Sequence, residues 1–314
     1  MFFDIHPVET EIYVPGLQKD ITIMHITDSH LLEVDDHEEE YIRLIAGERL
    51  KMFCPKAVSK NFTTLDIFSE HIKLCNEIKV DCTVFTGDII DFPSYTNMSH
   101  IKRLFETLNA PYFYVLGNHE WCYPNMKIDD ELRTRNYSLF RPWSQRVPGC
   151  EVQEIGGVKI IALDNSNYQL TWEQFNIIKK EVEAHERCVL FMHIPIYLPS
   201  LAKDVLNVWK APIMMGAEGW TTETKDQWKV RDTDDSTAAF CRWLCQEKGS
   251  HILGVFCGHI HFAHIDPFGA GRFQYATEPG YAGGCRLITL KAGIGEEKGG
   301  RNARDIGEMV FEND

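Results

Sequence analysis

The sequence predicts an α/β protein, a sandwich of two sheets with mixed strand directions. Three observations predict it. Short apolar runs alternate with helical patterns through the first half. A Gly156-Gly157 hairpin signal brings antiparallel pairing into the second. Four closely spaced apolar runs then follow after residue 250.

Ile21–Ile26 reads as a buried strand. Leu65, Phe68, Ile72 and Cys75 recur at helical spacing. Asp81–Phe85 is the next strand and runs into Thr86-Gly87. A helix is predicted around Ile101 to Leu108, then a strand over Tyr112–Leu116 ending at Gly117. Strand, helix, strand at this spacing implies parallel crossovers. Glu151–Ile155 and Val158–Leu163 flank the hairpin glycines. Thr171 with Gln174 forms a capping box that opens a helix with Phe175, Ile178 and Val182 on one face. Cys188–Met192 is a strand, and Ser236 to Glu247 a helix burying Phe240, Trp243 and Leu244. The last strands are His251–Cys257, Phe262–Ile265, Arg272–Ala276 and Arg286–Leu290.

With 314 residues the chain is long enough for a large core. Motifs lie on both sides of every possible boundary, so residues 1–290 are expected to form one domain, followed by a peripheral tail, 291–314. Two stretches read as insertions. Residues 33–62 open with six acids in eight positions, most simply a solvated loop, and 197–235 is polar, Trp-containing and irregular.

Composition excludes several classes. The net charge is −14, which argues against a nucleic-acid partner needing clustered Lys and Arg. No apolar run approaches the roughly 20 residues of a membrane helix. The first residues carry acids where a secretory signal carries positive charge. Ten cysteines without a CxxC pair fit a reducing cytoplasm.

The chemistry sits where strands end. In order these ends carry Asp28-Ser29-His30, Gly87-Asp88-Ile89-Ile90-Asp91, Gly117-Asn118-His119-Glu120, His193, and Gly258-His259-Ile260-His261. Ligands of open α/β sheets bind at the carboxyl ends of strands. Asp, Asn and His without Cys suit Mn, Fe or Zn. The set is too large for one tetrahedral ion, so two ions sharing a carboxylate are expected. Taken singly, an Asp at a strand end is more often a turn former; the ordered set is what carries the reading.

These blocks resemble the five motifs of the calcineurin-like metallophosphoesterases, complete and in order over residues 28 to 261. The resemblance implies a four-layer α/β/β/α sandwich and a dinuclear hydrolase of phosphoester bonds. It implies that Asp28, His30 and His261 hold one metal and that Asn118, His193 and His259 hold the other, with Asp88 bridging. His119, oriented by Asp91, would assist the transition state and the leaving group. A water shared by two cations would be the nucleophile.

The substrate is expected to be a small phosphodiester or nucleotide-like compound. A phosphomonoesterase or protein phosphatase is the alternative, and a metal-holding scaffold for protein partners the reading outside the enzyme class. Glu120 reads as a cap. Trp121 and Tyr123 are candidates for stacking on substrate. Asp164-Asn165-Ser166 is a candidate site wall, and His264 a candidate neighbour of His261. Arg133, Arg135, Arg141 and Arg146 read as a solvated face.

Overall fold

Strands buried at every position must be covered on both faces. Cys82–Thr86 (β3), Cys188–Met192 (β7) and Ile252–Cys257 (β8) are buried at every position, and each lies inside a sheet. The computed structural model describes residues 5, 7–54, 62–124, 130–144, 149–246, 251–269 and 271–293. Among them, one sheet contains Val8–Pro15 (β1), Ile21–Ile26 (β2), β3, Tyr112–Val115 (β4) and Arg286–Gly293 (β11), in the order β1-β11-β2-β3-β4. The other contains Cys150–Ile155 (β5), Val158–Leu163 (β6), β7, β8, His264–Phe268 (β9) and Arg272–Ala276 (β10), in the order β5-β6-β7-β8-β10-β9. β2, β3 and β4 are parallel, as are β6, β7, β8 and β10. β11 runs antiparallel to β2, β5 to β6 and β9 to β10. Both sheets are mixed, as the sequence predicts.

The sheets face each other through one core, where Val14, Ile23, Val84 and Phe113 meet Ile160, Val189, Phe191 and Phe256. The outer face of the first sheet is covered by Thr64–Ile78 (α2), Tyr95–Phe105 (α3) and Asp130–Phe140 (α4), which contribute Phe68, Ile101 and Phe140. The outer face of the second is covered by Trp172–Ala184 (α5), Pro199–Trp209 (α6) and Asp235–Cys245 (α8), which contribute Phe175, Val205 and Phe240. The order of layers is α/β/β/α. The Thr171–Gln174 capping box is present at the start of α5.

Several expectations need correction. β1 is not anticipated by the sequence reading; it pairs in parallel with β11, Val8 opposite Arg286. The helix expected around 101–108 starts at Tyr95, because the Ser94 side chain accepts from the Asn97 amide. The strand expected over Phe262–Ile265 begins at His264, since the preceding turn has left-handed residues at 259 and 261. The stretch 197–235 is not irregular: it holds α6, opened by Pro199, and Thr222–Trp228 (α7). The stretch 33–62 holds Glu40–Phe53 (α1), with Ile42 and Ala46 packed on Leu32 and Phe92. Residues 291–293 belong to β11 rather than to a tail, and 294–314 lie outside the described residues. No described helix is long and apolar enough to cross a membrane.

Candidate metal centre

All five motif blocks follow β2, β3, β4, β7 and β8 at their carboxyl ends, so parallel pairing brings them to one edge of the sandwich. Backbone bonds sew neighbouring ends together. The Asp28 amide donates to Gly87 O (3.0 Å), His30 to Asp88 O (2.9 Å) and Gly258 to His193 O (3.0 Å). Among the bonds that cross between the sheets are His193 Nδ1 with Thr86 O (2.6 Å) and the His259 amide with Asp28 Oδ2 (2.9 Å). Gly117 and Gly258 are there because carboxylates crowd them. A Cβ at Gly117 would lie 2.2 Å from Asp88 Oδ1, and one at Gly258 2.2 Å from Asp28 Oδ2.

Nine described non-glycine residues have positive φ. Lys79, Lys210 and Lys229 simply end helices. The other six are Asp28, His30, Asp88, Tyr168, His259 and His261. Such conformations cost on the order of 1–3 kcal/mol each and survive only where surrounding contacts impose them.

The side chains form two adjoining groups. Asp28, His30, Asp88 and His261 bring ligand atoms within 4.8 Å of one another, and so do Asp88, His193 and His259. Asp88 belongs to both. In the first group His30 Nε2 lies 3.2 Å from His261 Nε2, and His261 Nε2 lies 3.3 Å from Asp28 Oδ1. In the second, His193 Nε2 is 3.2 Å from Asp88 Oδ2, from Asn118 Oδ1 and from His259 Nδ1.

Tautomers follow from the outer partners. His30 Nδ1 faces Asp91 Oδ1 at 2.8 Å, and His193 Nδ1 faces the Thr86 carbonyl. Both partners only accept, so both Nδ1 atoms carry hydrogen and both Nε2 atoms are the nitrogens left for a cation. Imidazole nitrogens and carboxylate oxygens therefore converge in a buried space, an arrangement that calls for positive charge. Until a metal binds, a proton supplies that charge. Burial alone would lower His193, but Asp88 and Asp28 outweigh it and raise the pKa to about 10, so its Nε2 holds a proton that a metal would displace. Burial pushes Asp28 up, yet His261 holds it down at about 2. The donor set fits two metal ions.

Asp91 does more than orient His119. Its carboxylate holds His30, while His119 Nδ1 bonds the Asp91 carbonyl oxygen at 3.0 Å, with Oδ1 at 3.3 Å. Arg49, on α1, forks onto the same carboxylate with Nε and Nη2 each at 2.5 Å. Phe53, also on α1, stacks on the His30 ring at 4.6 Å. Glu120 is a staple: it accepts from the amides of Asp88, Ile89 and Gly117 at 2.8 Å each and from the Tyr114 hydroxyl at 3.0 Å. That locks the Asp88 turn to the Asn118 turn.

Asn165 accepts from the His193 and Ile194 amides and donates to Ile194 O, fixing the His193 loop. Arg133 is not a solvated face, since it pairs with buried Asp164 at 2.9 Å. Arg135 and Arg141 are exposed, and Arg146 lies outside the described residues. His264 is held by Asp204 and Asp266 instead of serving His261. The sequence reading does not single out Arg49, Phe53 or the side chain of Tyr168. Arg49 and Phe53 sit in a stretch read as an acidic loop, and Tyr168 follows a turn; neither place carries a motif.

A cavity of about 490 Å³ opens beside the centre, lined by Asn118, His119, Arg49, Tyr123, Tyr168 and Trp228, among others. Trp121 also lines it but is 4 % exposed and packs with Leu132.

Comparisons agree with this architecture. A family model described as calcineurin-like phosphoesterase matches residues 21–263. An uncharacterized metallophosphoesterase of Bacillus subtilis, YkuE, is 27% identical over 154 residues, 46% of this chain and 53% of that protein. The matched part is thus about half of the relative's length. A dimetal phosphatase from Danio rerio has the same fold at a TM-score of 0.52 and 13% identity, over 83% of this chain and 88% of that one.

Proposed function

The chain belongs to the calcineurin-like phosphoesterase family, and on that premise we infer that it is a dinuclear metal-dependent hydrolase of phosphoester bonds. One observation carries this: the inward-facing imidazole nitrogens of His30 and His193 converge with Asp88, which both groups share. Asp28, His30 and His261 would hold one metal, and Asn118, His193 and His259 the other, with Asp88 between them. When bound, the ions supply Lewis acidity, acidifying water and neutralising phosphoryl charge.

The remaining work falls to side chains. Asp91 and the Thr86 carbonyl keep two imidazole lone pairs aimed inward. Glu120 holds the two turns that carry Asp88 and Asn118 in register. His119 lines the cavity, and its Nδ1 is engaged by the Asp91 carbonyl. Its Nε2 is thereby left facing the cavity, and it is the doubly protonated ring that passes the Nε2 proton to the leaving oxygen and keeps the one on Nδ1. We read residues 1–290 as one catalytic unit.

The substrate reading is a small phosphodiester or nucleotide-like compound. Its support is a cavity of about 490 Å³ with Tyr123 and Trp228 as apolar walls and Arg49 and Lys229 as cations. The net charge of −14 disfavours a polyanionic substrate. Ten free cysteines support a reducing compartment.

The test is hydrolysis of bis(p-nitrophenyl) phosphate and p-nitrophenyl phosphate by metal-stripped protein before and after Mn²⁺ addition, with Asp88→Asn as control. Turnover should return with metal and favour the diester, and the control should lose more than about 100-fold, beyond the loss of an outer-shell partner. Preference for the monoester would overturn the substrate reading alone. Failure of the wild type to bind metal would overturn the whole assignment.

A further inference from the structure

We propose that Tyr168 is the neutral partner that commits His259 to one tautomer and then turns its own hydroxyl proton toward the substrate's phosphoryl oxygen. The inference rests on the metal reading above.

Its first support is the backbone. Of the six left-handed residues that do not end a helix, five are proposed metal ligands, and the sixth is Tyr168. A bulky aromatic at φ 66° is an outlier that ordinary packing does not call for. It is imposed by its neighbours: the Tyr168 amide donates to Asn165 O at 2.8 Å, and Trp220 meets the ring edge-on at 5.8 Å. Asn165 is the same residue that fixes the His193 loop.

The second support is the bond this conformation makes. The Tyr168 hydroxyl lies 2.7 Å from His259 Nε2. The other ring nitrogen, Nδ1, lies 3.2 Å from His193 Nε2, the nitrogen left for a metal because the Thr86 carbonyl accepts from Nδ1 of His193. For His259 to add a lone pair there, its hydrogen must sit on Nε2, and the Tyr168 oxygen must accept it. The hydroxyl proton is then left over. No described residue accepts it, and Tyr168 lines the cavity beside Asn118 and His119. A phosphoryl oxygen held in that cavity is the acceptor available.

The decisive variant is Tyr168→Phe, which keeps the ring and its packing. Three readouts apply. With Zn²⁺ bound, ¹⁵N-labelled histidine spectra should show the His259 Nε2–H slow to exchange and shifted by its bond to the Tyr168 oxygen in the wild type, and fast to exchange in the variant. A Zn²⁺ titration should show one of two binding events weakened about 10–100-fold and the other unchanged. With metal saturating, kcat for bis(p-nitrophenyl) phosphate should still fall roughly 10-fold, the loss expected when one hydrogen bond of about 1.4 kcal/mol is removed.

A variant with wild-type Nε2–H exchange, both Zn²⁺ affinities and kcat within about twofold overturns the role of Tyr168 and leaves the metal assignment standing. A wild type that binds no Zn²⁺ overturns both. A wild type that binds two ions but shows no turnover sinks the phosphoester reading, and Nε2–H exchange and affinity then still decide the positioning role.

Discussion

The two halves of the centre differ in what stands behind their histidines. Each half brings two imidazole nitrogens to 3.2 Å. Behind His30 stands a charged relay, the Asp91 carboxylate and then the Arg49 fork, with Phe53 of α1 covering the ring. Behind His193 and His259 stand neutral groups, the Thr86 carbonyl and the Tyr168 hydroxyl. A carboxylate behind an imidazole raises its basicity and adds negative charge to the site; a carbonyl or phenol fixes orientation without adding charge. The difference teaches that two similar sets of ligand atoms need not bind equally. The Asp91-backed half should hold its ion more tightly.

The largest effect that bears on this comparison lies between the halves. His119→Ala should lower kcat by about 10²–10⁴, as for removal of a general acid, while both metals stay bound. Loss of metal from that variant would mean that His119 is part of the first half instead of a proton donor.

Asp91→Asn comes next. It removes the charge but keeps the backbone carbonyl that holds His119, so only the first half should weaken, by about 10–100-fold in metal affinity. Arg49→Met should act in the same half and by less. Equal weakening of both ions in Asp91→Asn would erase the proposed asymmetry.

A separate effect, on stability instead of metal affinity, sharpens the comparison from outside the centre. His71 is as buried as His193, but no carboxylate of the described residues faces it; its polar neighbours are the Gly283 and Gly284 backbone groups. Burial lowers its pKa to about 4, whereas carboxylates raise that of His193 to about 10. Since the folded protein binds fewer protons at His71 than the unfolded chain, its contribution is fully present above about pH 6.5. It is lost as pH falls toward 4, by an amount on the order of 3 kcal/mol. Urea unfolding at stepped pH should show a flatter acid limb in His71→Leu than in the wild type. An unchanged limb would rule out His71 as the titrating group.

Much of this was legible residue by residue. The strand β7 is an uninterrupted apolar run and β6 a mostly apolar one bounded by the hairpin turn, and both bounds match the reading. The capping box of α5 is a local device and needs no distant partner. The nine proposed site residues lie in five short strand-end segments, each a local turn, so their types and order could be read directly. α1 was not legible. Glu39 gives it no side-chain cap, and Tyr41, Leu44 and Met52 on it are exposed. What holds it is packing on Phe92 and the Arg49–Asp91 pair, both long-range. β1 was missed for the same reason: its partner β11 lies at the far end of the chain.

The sequence by itself determined which groups could do chemistry, because hydrophobic period and turn chemistry act over a few residues and deliver Asp, Asn and His to strand ends. Only the tertiary structure decided what stands behind each of those groups. Arg49 reaches Asp91 across 42 positions and Tyr168 reaches His259 across 91, and no local rule ties residues so far apart. Those contacts exist because two sheets close on one core, and the closure, more than any motif, gives one half of the centre a charged backing and the other a neutral one.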